Sequence, residues 1–406
     1  MKSTHTTPRA VQLAETLDVQ AVERELSRLW MENAGGAGAS DEEGALMRAR
    51  VLNLLVYVAT NEALEEVNEL LSHVTSAHPC RAIVMVAERE AEDVDIEMLV
   101  SSYCQSEGGG KERNLCGEQV TLRARGRFSV ELPSAAEPLL VPDLPVFLWW
   151  RDRPRLNDEV FRKLGHASDR VVFDSADFLE PYRDLLALSA LLQKERAAHT
   201  GLSDLNWARL TSWRGLLAGF YDVREYRTRL ENVDRVRIEY VAPEHKPHEI
   251  APKALILAGW LASRLGWRAA AGQSAEGEAG ARTMQVERQG RAITLEFRSV
   301  ERREAMHGWI ARVELLAGAD APSAFVVARS EDGRYLETQV LTGDERVASR
   351  LLVGGDKTEP ELLGRELEIL GHDRIYEEAV HAAALLLEAL EGKQKQVGLN
   401  PQINTG

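Results

Sequence analysis

The sequence predicts an α/β fold: a mixed and mainly parallel sheet covered by helices, followed by an antiparallel β-meander with a long C-terminal helix. Three observations predict it. From about residue 126, short apolar runs alternate with stretches of helical periodicity, the pattern of strands joined by crossover helices. Between Met284 and Leu341, β-prone runs follow one another with the turn signals Gln289-Gly290 and Asp332-Gly333 between them. From Asp373 to Leu390 the apolar positions fall at helical spacing.

The 406 residues exceed one ordinary core and imply more than one domain. Residues 1–45 read as an N-terminal arm with one helix, about Val11–Asn33, ended by Gly35-Gly36-Ala37-Gly38. Residues 46–275 form an α/β region, divisible into two subdomains near residue 126. Residues 276–406 hold the meander and the closing helix.

Within the α/β region, Val51–Val58 is an apolar run rich in β-branched and aromatic residues, hence a buried strand, and Asn61–His73 has helical periodicity. Arg81–Ala87, Ile96–Cys104 and Gln119–Arg125 read as strands, with the polar, glycine-rich stretch Gln105–Arg113 as a hairpin tip. Then come strand Pro145–Trp150, helix Asn157–His166, strand Arg170–Phe173 and helix Tyr182–Ala198. A second helix starts near Ser203, followed by strand Val236–Val241 and helix Pro252–Leu265. Ala270–Gly280 is small, glycine-bearing and acidic, and reads as a linker. The meander is Met284–Arg288, Ala292–Phe297, Ala311–Leu316, Ala324–Ala328 and Leu336–Leu341.

Composition excludes several classes. A content of 44% hydrophobic and 28% charged residues is that of a globular protein. A net charge of -15 argues against a nucleic-acid partner, which requires a basic, counterion-releasing surface. The first ten residues are polar and lack a secretory core, and Ala254–Ala262, the most apolar helical stretch, is too short to span a bilayer. No membrane association is expected. Three cysteines without framework spacing fit a reducing compartment, so a cytoplasmic location is expected.

Catalytic equipment is not legible. Gly108-Gly109-Gly110-Lys111 lacks the spaced first glycine and the Ser/Thr of a phosphate loop, and no strand leads into a G-x-G-x-x-G turn. No G-x-S-x-G elbow occurs, and the ten histidines form no ligand pair at helical spacing. Neither catalytic residues, a metal site nor a cofactor is expected.

Two places invite a binding role. In a helix Ser203–Asp222, Ser203 would be the N-cap, and Ala208, Ser212, Gly215 and Gly219 would form a stripe of small side chains. Two glycines inside a helix are each unfavourable by about 1 kcal/mol, so the stripe is expected to pack closely on another backbone. Arg209 and Arg214 then fall among large apolar residues. They are expected to be substantially buried and to pair with a carboxylate, stack on Trp207 or Trp213, or reach an anionic ligand; Asn206 belongs to the same group. The second place is the carboxyl ends of strands Pro145–Trp150 and Arg170–Phe173, which a right-handed crossover would set side by side. Trp149, Trp150, Arg151, Asp174 and Ser175 are candidates for a pocket rim there, although Asp174-Ser175 could equally cap the next helix.

Several blocks resemble the OpcA family. They are His78-Pro79-Cys80-Arg81-Ala82, Cys116–Val120, Val141–Pro145 with Trp149-Trp150, Asp169–Ser175, Asp204–Asp222, Ala258–Trp267 and Leu362–Val380. They occur in family order over roughly residues 50–390. The resemblance implies a non-catalytic assembly factor or allosteric activator of glucose-6-phosphate dehydrogenase, in the oxidative pentose phosphate pathway. The alternative is a sugar-phosphate-binding enzyme or sensor using the cleft at the strand carboxyl ends. The resemblance also implies redox control for Cys80 and Cys116, as associated with members from photosynthetic bacteria. Cys104 and Cys116 flank one hairpin loop, which leaves two pairings open. The expectation is a reduced protein at rest.

Overall fold

A computed structural model of the chain describes residues 3–5, 9–11, 19–35, 50–92, 95–106, 114–195, 200–270, 275–276, 281–302, 307–318, 323–343, 345–353 and 357–397. It divides into two compact units that are interleaved along the sequence rather than split at the stretch 270–280. The first comprises residues 1–174, 197–205 and 358–372, the second residues 175–196, 206–357 and 373–406.

In chain order, the first unit carries β1 (Ser3–His5), β2 (Arg9–Val11), α1 (Val19–Gly35), β3 (Leu52–Val58), α2 (Glu62–Ala77) and β4 (Cys80–Glu88). It continues with β5 (Ile96–Ser106), β6 (Asn114–Arg125), α3 (Leu132–Ala136), β7 (Val146–Trp150), α4 (Glu159–His166) and β8 (Arg170–Phe173). The chain then forms α5 (Pro181–Glu195) of the second unit and returns to the first for β9 (Gly201–Asp204). Next come α6 (Leu205–Ala208), α7 (Thr211–Asp222), α8 (Arg224–Leu230), β10 (Val233–Tyr240), α9 (Pro252–Leu265), β11 (Arg268–Ala269) and β12 (Ala275–Glu276). The second sheet is completed by β13 (Arg282–Arg288), β14 (Arg291–Ser299), β15 (Ile310–Ala317), β16 (Ser323–Arg329), β17 (Tyr335–Thr342) and β18 (Glu345–Val353). Helix α10 (Glu359–Glu366) belongs to the first unit and α11 (Arg374–Val397) to the second.

The first sheet runs β1-β5-β6-β4-β3-β7-β8-β9, with β2 also on β5. From β6 to β9 every neighbouring pair is parallel. Strand β5 pairs antiparallel with β6, and β1 and β2 pair antiparallel with β5. Counted in chain order, the six parallel strands stand 3-2-1-4-5-6, the doubly wound order whose direction reverses between its first and fourth strands, here β3 and β7. All seven residues of β3 are buried, which is why it reads as a near-continuous apolar run rather than an alternating one, interrupted by Asn53, whose amide donates to the Val141 carbonyl at 3.0 Å. The expected neighbourhood of Pro145–Trp150 and Arg170–Phe173 is present as the parallel pair β7–β8. The arm contributes two short strands to the sheet edge as well as its helix, because β5 leaves an edge of backbone groups to be paired.

The second sheet runs β11-β13-β14-β10-β15-β16-β17-β18. It is an antiparallel meander with one insertion: β10, expected in the first sheet, lies between β14 (parallel) and β15 (antiparallel). Local sequence marks β10 as a strand but does not choose its sheet. Helices α9 and α11 pack closely in this unit. A Cβ on Gly259 would lie 2.2 Å from the carbonyl oxygen of Ala379 and 2.6 Å from the backbone nitrogen of Ala383.

The expected helix Ser203–Asp222 is not one helix. Ser203 and Asp204 lie in β9, and two helices, α6 and α7, follow with a break at Arg209-Leu210. Ser203 is therefore no N-cap. Its hydroxyl donates to Glu366 at 2.7 Å and accepts from the buried guanidinium of Arg170, which also bonds the carbonyl of Gly371. The small stripe is also corrected. Ser212 and Gly215 are exposed, and a Cβ on Gly215 or Gly219 would meet nothing within 4 Å. Ser212, Gly215 and Gly219 share one side of α7, but the face it buries is another, that of Trp213, Leu217 and Phe220.

Candidate functional site

The reversal of strand order leaves a crevice beyond the carboxyl ends of β3, β4 and β7. A cavity of about 410 Å³ opens there. Its aromatic wall is Tyr57 and Trp150, register partners on β3 and β7, whose rings stack at 3.8 Å and 8°. Phe161 of α4 meets Trp150 edge-on at 5.0 Å. Trp150 is only 2% exposed, and its indole N–H has no hydrogen-bond partner among the described residues.

Arg89, the first residue beyond β4, braces this wall. It donates to both carboxylate oxygens of Asp158, at 2.5 and 3.0 Å, and through Nε to the Tyr57 hydroxyl at 3.2 Å. Asp158 also caps α4, accepting from the backbone N–H groups of Val160 and Phe161. Burial pushes the Tyr57 phenol up to about 12, against the pull of Arg89. Burial raises the Asp158 carboxyl, but the Arg89 hydrogen bond and the two backbone donors outweigh it and hold the group below its ordinary value. Arg89 is raised, mainly by its bond to Asp158.

The floor of the crevice is acidic. Its lining carries five carboxylates, Glu62, Glu88, Glu90, Asp152 and Asp158, against two guanidiniums, Arg89 and Arg155. The turn from β3 into α2, Ala59-Thr60-Asn61, contains no glycine, and Glu62 and Glu65 occupy the first helical turn. A helix N-terminus that would favour a phosphate is thus already occupied by negative charge.

The sequence candidates separate into two groups. In the first unit, Trp150 lines the cavity. Trp149 is buried, and Arg151 stacks over it at 5.7 Å while pairing with Glu66 (2.7 Å) and Glu359 (3.2 Å). Of the expected rim residues, Trp150 lines this cavity, and Arg151 and Asp174 are not part of its lining. In the second unit, Ser175 is buried and accepts from the amide of Asn206 at 3.0 Å. Trp207 donates its indole N–H to Asp373 at 2.9 Å, and the Arg214 guanidinium lies 3.4 Å from its ring centroid. Trp213 is buried under Arg329, 5.7 Å from its ring. Arg209, in the break between α6 and α7, and Arg214, in α7, are half-buried rather than substantially buried. Sequence reasoning missed Tyr57, Arg89 and Asp158. An N-cap aspartate ahead of Glu159-Val160 was a readable signal, but its pairing with a residue 69 positions away was not.

Cys80 is a buried thiol. Arg81, its sequence neighbour, is committed elsewhere: it donates to Glu118 at 3.1 and 3.0 Å, to Glu23 at 2.5 Å and to the Leu139 carbonyl at 3.1 Å. Cys104 and Cys116 face each other in the β5–β6 register, and their side chains lie outside the described residues. Among the described residues no group of three or more His, Cys, Asp or Glu could hold a metal ion, and no helix is long and apolar enough to cross a membrane.

These features define a doubly wound α/β protein whose crevice has the usual position but not the usual phosphate-binding turn. The chain belongs to the OpcA family. Residues 72–190 match the model described as the glucose-6-phosphate dehydrogenase subunit N-terminal domain, and residues 200–380 match its C-terminal domain. It is 35% identical over 201 residues to the "Putative OxPP cycle protein OpcA" of Nostoc punctiforme, covering 50% of this chain and 41% of that protein. It is 31% identical to the protein so named in Synechocystis, covering 48% and 38%. The match to the Synechococcus elongatus protein is 27% identical and covers 81% and 72%. The matched region thus spans about two fifths of the first two relatives' length. Among solved structures, the WlbA (WbpB) dehydrogenase of Thermus thermophilus aligns with a TM-score of 0.42 and 12% identity, covering 83% of this chain and 94% of that one.

Proposed function

We propose that this chain is a non-catalytic assembly factor and allosteric activator of glucose-6-phosphate dehydrogenase in the oxidative pentose phosphate pathway, acting in the cytoplasm without a cofactor of its own. One observation carries the reading: two consecutive family models, both described as domains of a glucose-6-phosphate dehydrogenase subunit, match along the chain. The crevice supports it. A doubly wound sheet without a glycine turn, and with carboxylates at the first helix, is poorly equipped for dinucleotide chemistry. The same acidic lining counts against the alternative of a sugar-phosphate enzyme or sensor, because five carboxylates repel the phosphate such a ligand carries.

An activator acts by binding the active form of its target more tightly than the inactive form. The test is a titration of the same organism's dehydrogenase with this chain, read as initial rate at low glucose 6-phosphate and as complex formation on a sizing column. The expected result is a saturable rise in rate with a co-eluting complex, and no turnover by the chain alone. Unchanged kinetics with separate elution would refute the reading.

A further inference from the structure

The cavity beyond β3, β4 and β7 is not explained by binding a dehydrogenase. We propose that it binds an unphosphorylated sugar ring through its vicinal diol, presented either by a free sugar or by the ribose of a nucleoside. Four observations converge on this chemistry.

The first is position. Open α/β sheets take ligands at the carboxyl ends of their strands where the order reverses, and the cavity spans that point. The second is Glu88. It closes β4, the second strand of the parallel order, where an acid in such sheets accepts hydrogen bonds from ribose hydroxyls. One oxygen of Glu88 accepts from Arg125 Nε at 3.0 Å, which fixes the carboxylate's orientation. A carboxylate has about four lone-pair sites, so acceptor capacity remains.

The third is Trp150. A buried donor without an acceptor is unfavourable; Trp150 lines the cavity, and its buried indole N–H has no partner among the described residues. Carboxylates need donors and the indole needs an acceptor. A hydroxyl group is both, so a diol serves both walls at once, whereas a simple cation serves only the acids.

The fourth is charge and size. The glycine-free turn, Glu62 at the start of α2 and the excess of carboxylates exclude a phosphate. Arg89 is withheld from an anion by its two bonds to Asp158. A volume of about 410 Å³ falls within the range of small-molecule sites and accommodates a sugar or a nucleoside.

Calorimetric titration of the full chain with D-ribose, D-glucose and adenosine, and with D-ribose 5-phosphate, glucose 6-phosphate and adenosine 5′-monophosphate, tests the proposal. At least one of the three unphosphorylated ligands is expected to bind with a Kd of about 1 mM or tighter, and its phosphorylated counterpart about tenfold more weakly. Binding by the free sugars identifies one source, and binding by adenosine alone identifies the other. Glu88→Gln is expected to weaken binding about tenfold while leaving the far-ultraviolet circular dichroism unchanged. No binding by any unphosphorylated ligand, tighter binding by a phosphorylated one, or a folded Glu88→Gln chain with unchanged affinity would each overturn the proposal. The ligand comparison on the unaltered chain decides the matter even where a variant fails to fold.

Discussion

Replacing Gly259 with alanine adds one methyl group to the middle of α9, where the backbone of α11 leaves no room for it. The added Cβ would sit 2.2 Å from the Ala379 oxygen, 2.6 Å from the Ala383 nitrogen and 2.9 Å from the Ala383 Cβ. Carbon contacts are optimal at about 3.5–4.0 Å, so the two helices must separate by roughly 1 Å or more. All three atoms belong to buried residues of α11 and none is the end of a flexible side chain, so relief comes only from moving backbone. Overpacking of this kind is unfavourable by about 1–3 kcal/mol, and the upper end applies to a backbone clash. Alanine recovers about 1 kcal/mol of helix propensity, leaving a net loss of about 2 kcal/mol. Gly215→Ala is the matched control: the same methyl, inside α7, meets nothing within 4 Å. It is expected to stabilise by about 1 kcal/mol or slightly less. Urea unfolding monitored by circular dichroism and tryptophan fluorescence reads both. If Gly259→Ala matches or exceeds the parent in stability, or if the two substitutions shift the midpoint in the same direction, the close α9–α11 packing is refuted.

Further outcomes follow from the first unit. Glu118→Ala removes a carboxylate that pairs with Arg81 (3.0 Å) and Arg50 (2.7 Å), the Glu118 and Arg81 side chains being 1% and 3% exposed. A loss of about 3–5 kcal/mol is expected in urea unfolding, and a loss below about 1 kcal/mol would contradict the network. The depressed Asp158 carboxyl contributes stability that is present above its unfolded-state value of about 4 and is lost as pH falls through the folded value. Asp158→Asn is therefore expected to flatten the acid limb of the stability curve, and an unaltered limb would refute the coupling to Arg89. Ultraviolet titration should show the Tyr57 phenol ionising near 12, with Tyr57→Phe removing that late component. Iodoacetamide, mapped by peptide mass spectrometry, should modify Cys80 only after denaturation. Rapid labelling in the native protein would show that the thiol is accessible.

Sequence alone determined the elements whose signal is local. The apolar β3 and β4, the parallel neighbours β7 and β8, the buried helix α9 and the long α11 were all legible, because propensity and hydrophobic period act within a few residues. The family blocks were legible for the same reason, as short strings in order. Trp150 was found as a candidate because a tryptophan at a strand's carboxyl end is visible in the string. What tertiary structure alone decided was partnership. Only the fold puts β10 between β14 and β15, brings Arg89 to Asp158, and sets Glu88 and Trp150 on one cavity. The helix wheel over Ser203–Asp222 failed because the pull of β8 on Ser203 and Asp204, through the β9 ladder, outcompeted helix formation there. The small residues of α7 lie away from its buried face of Trp213, Leu217 and Phe220, and the close glycine contact is instead at Gly259. Backbone pairing across distant segments is a long-range interaction, and no window of sequence short enough to read by propensity contains both partners.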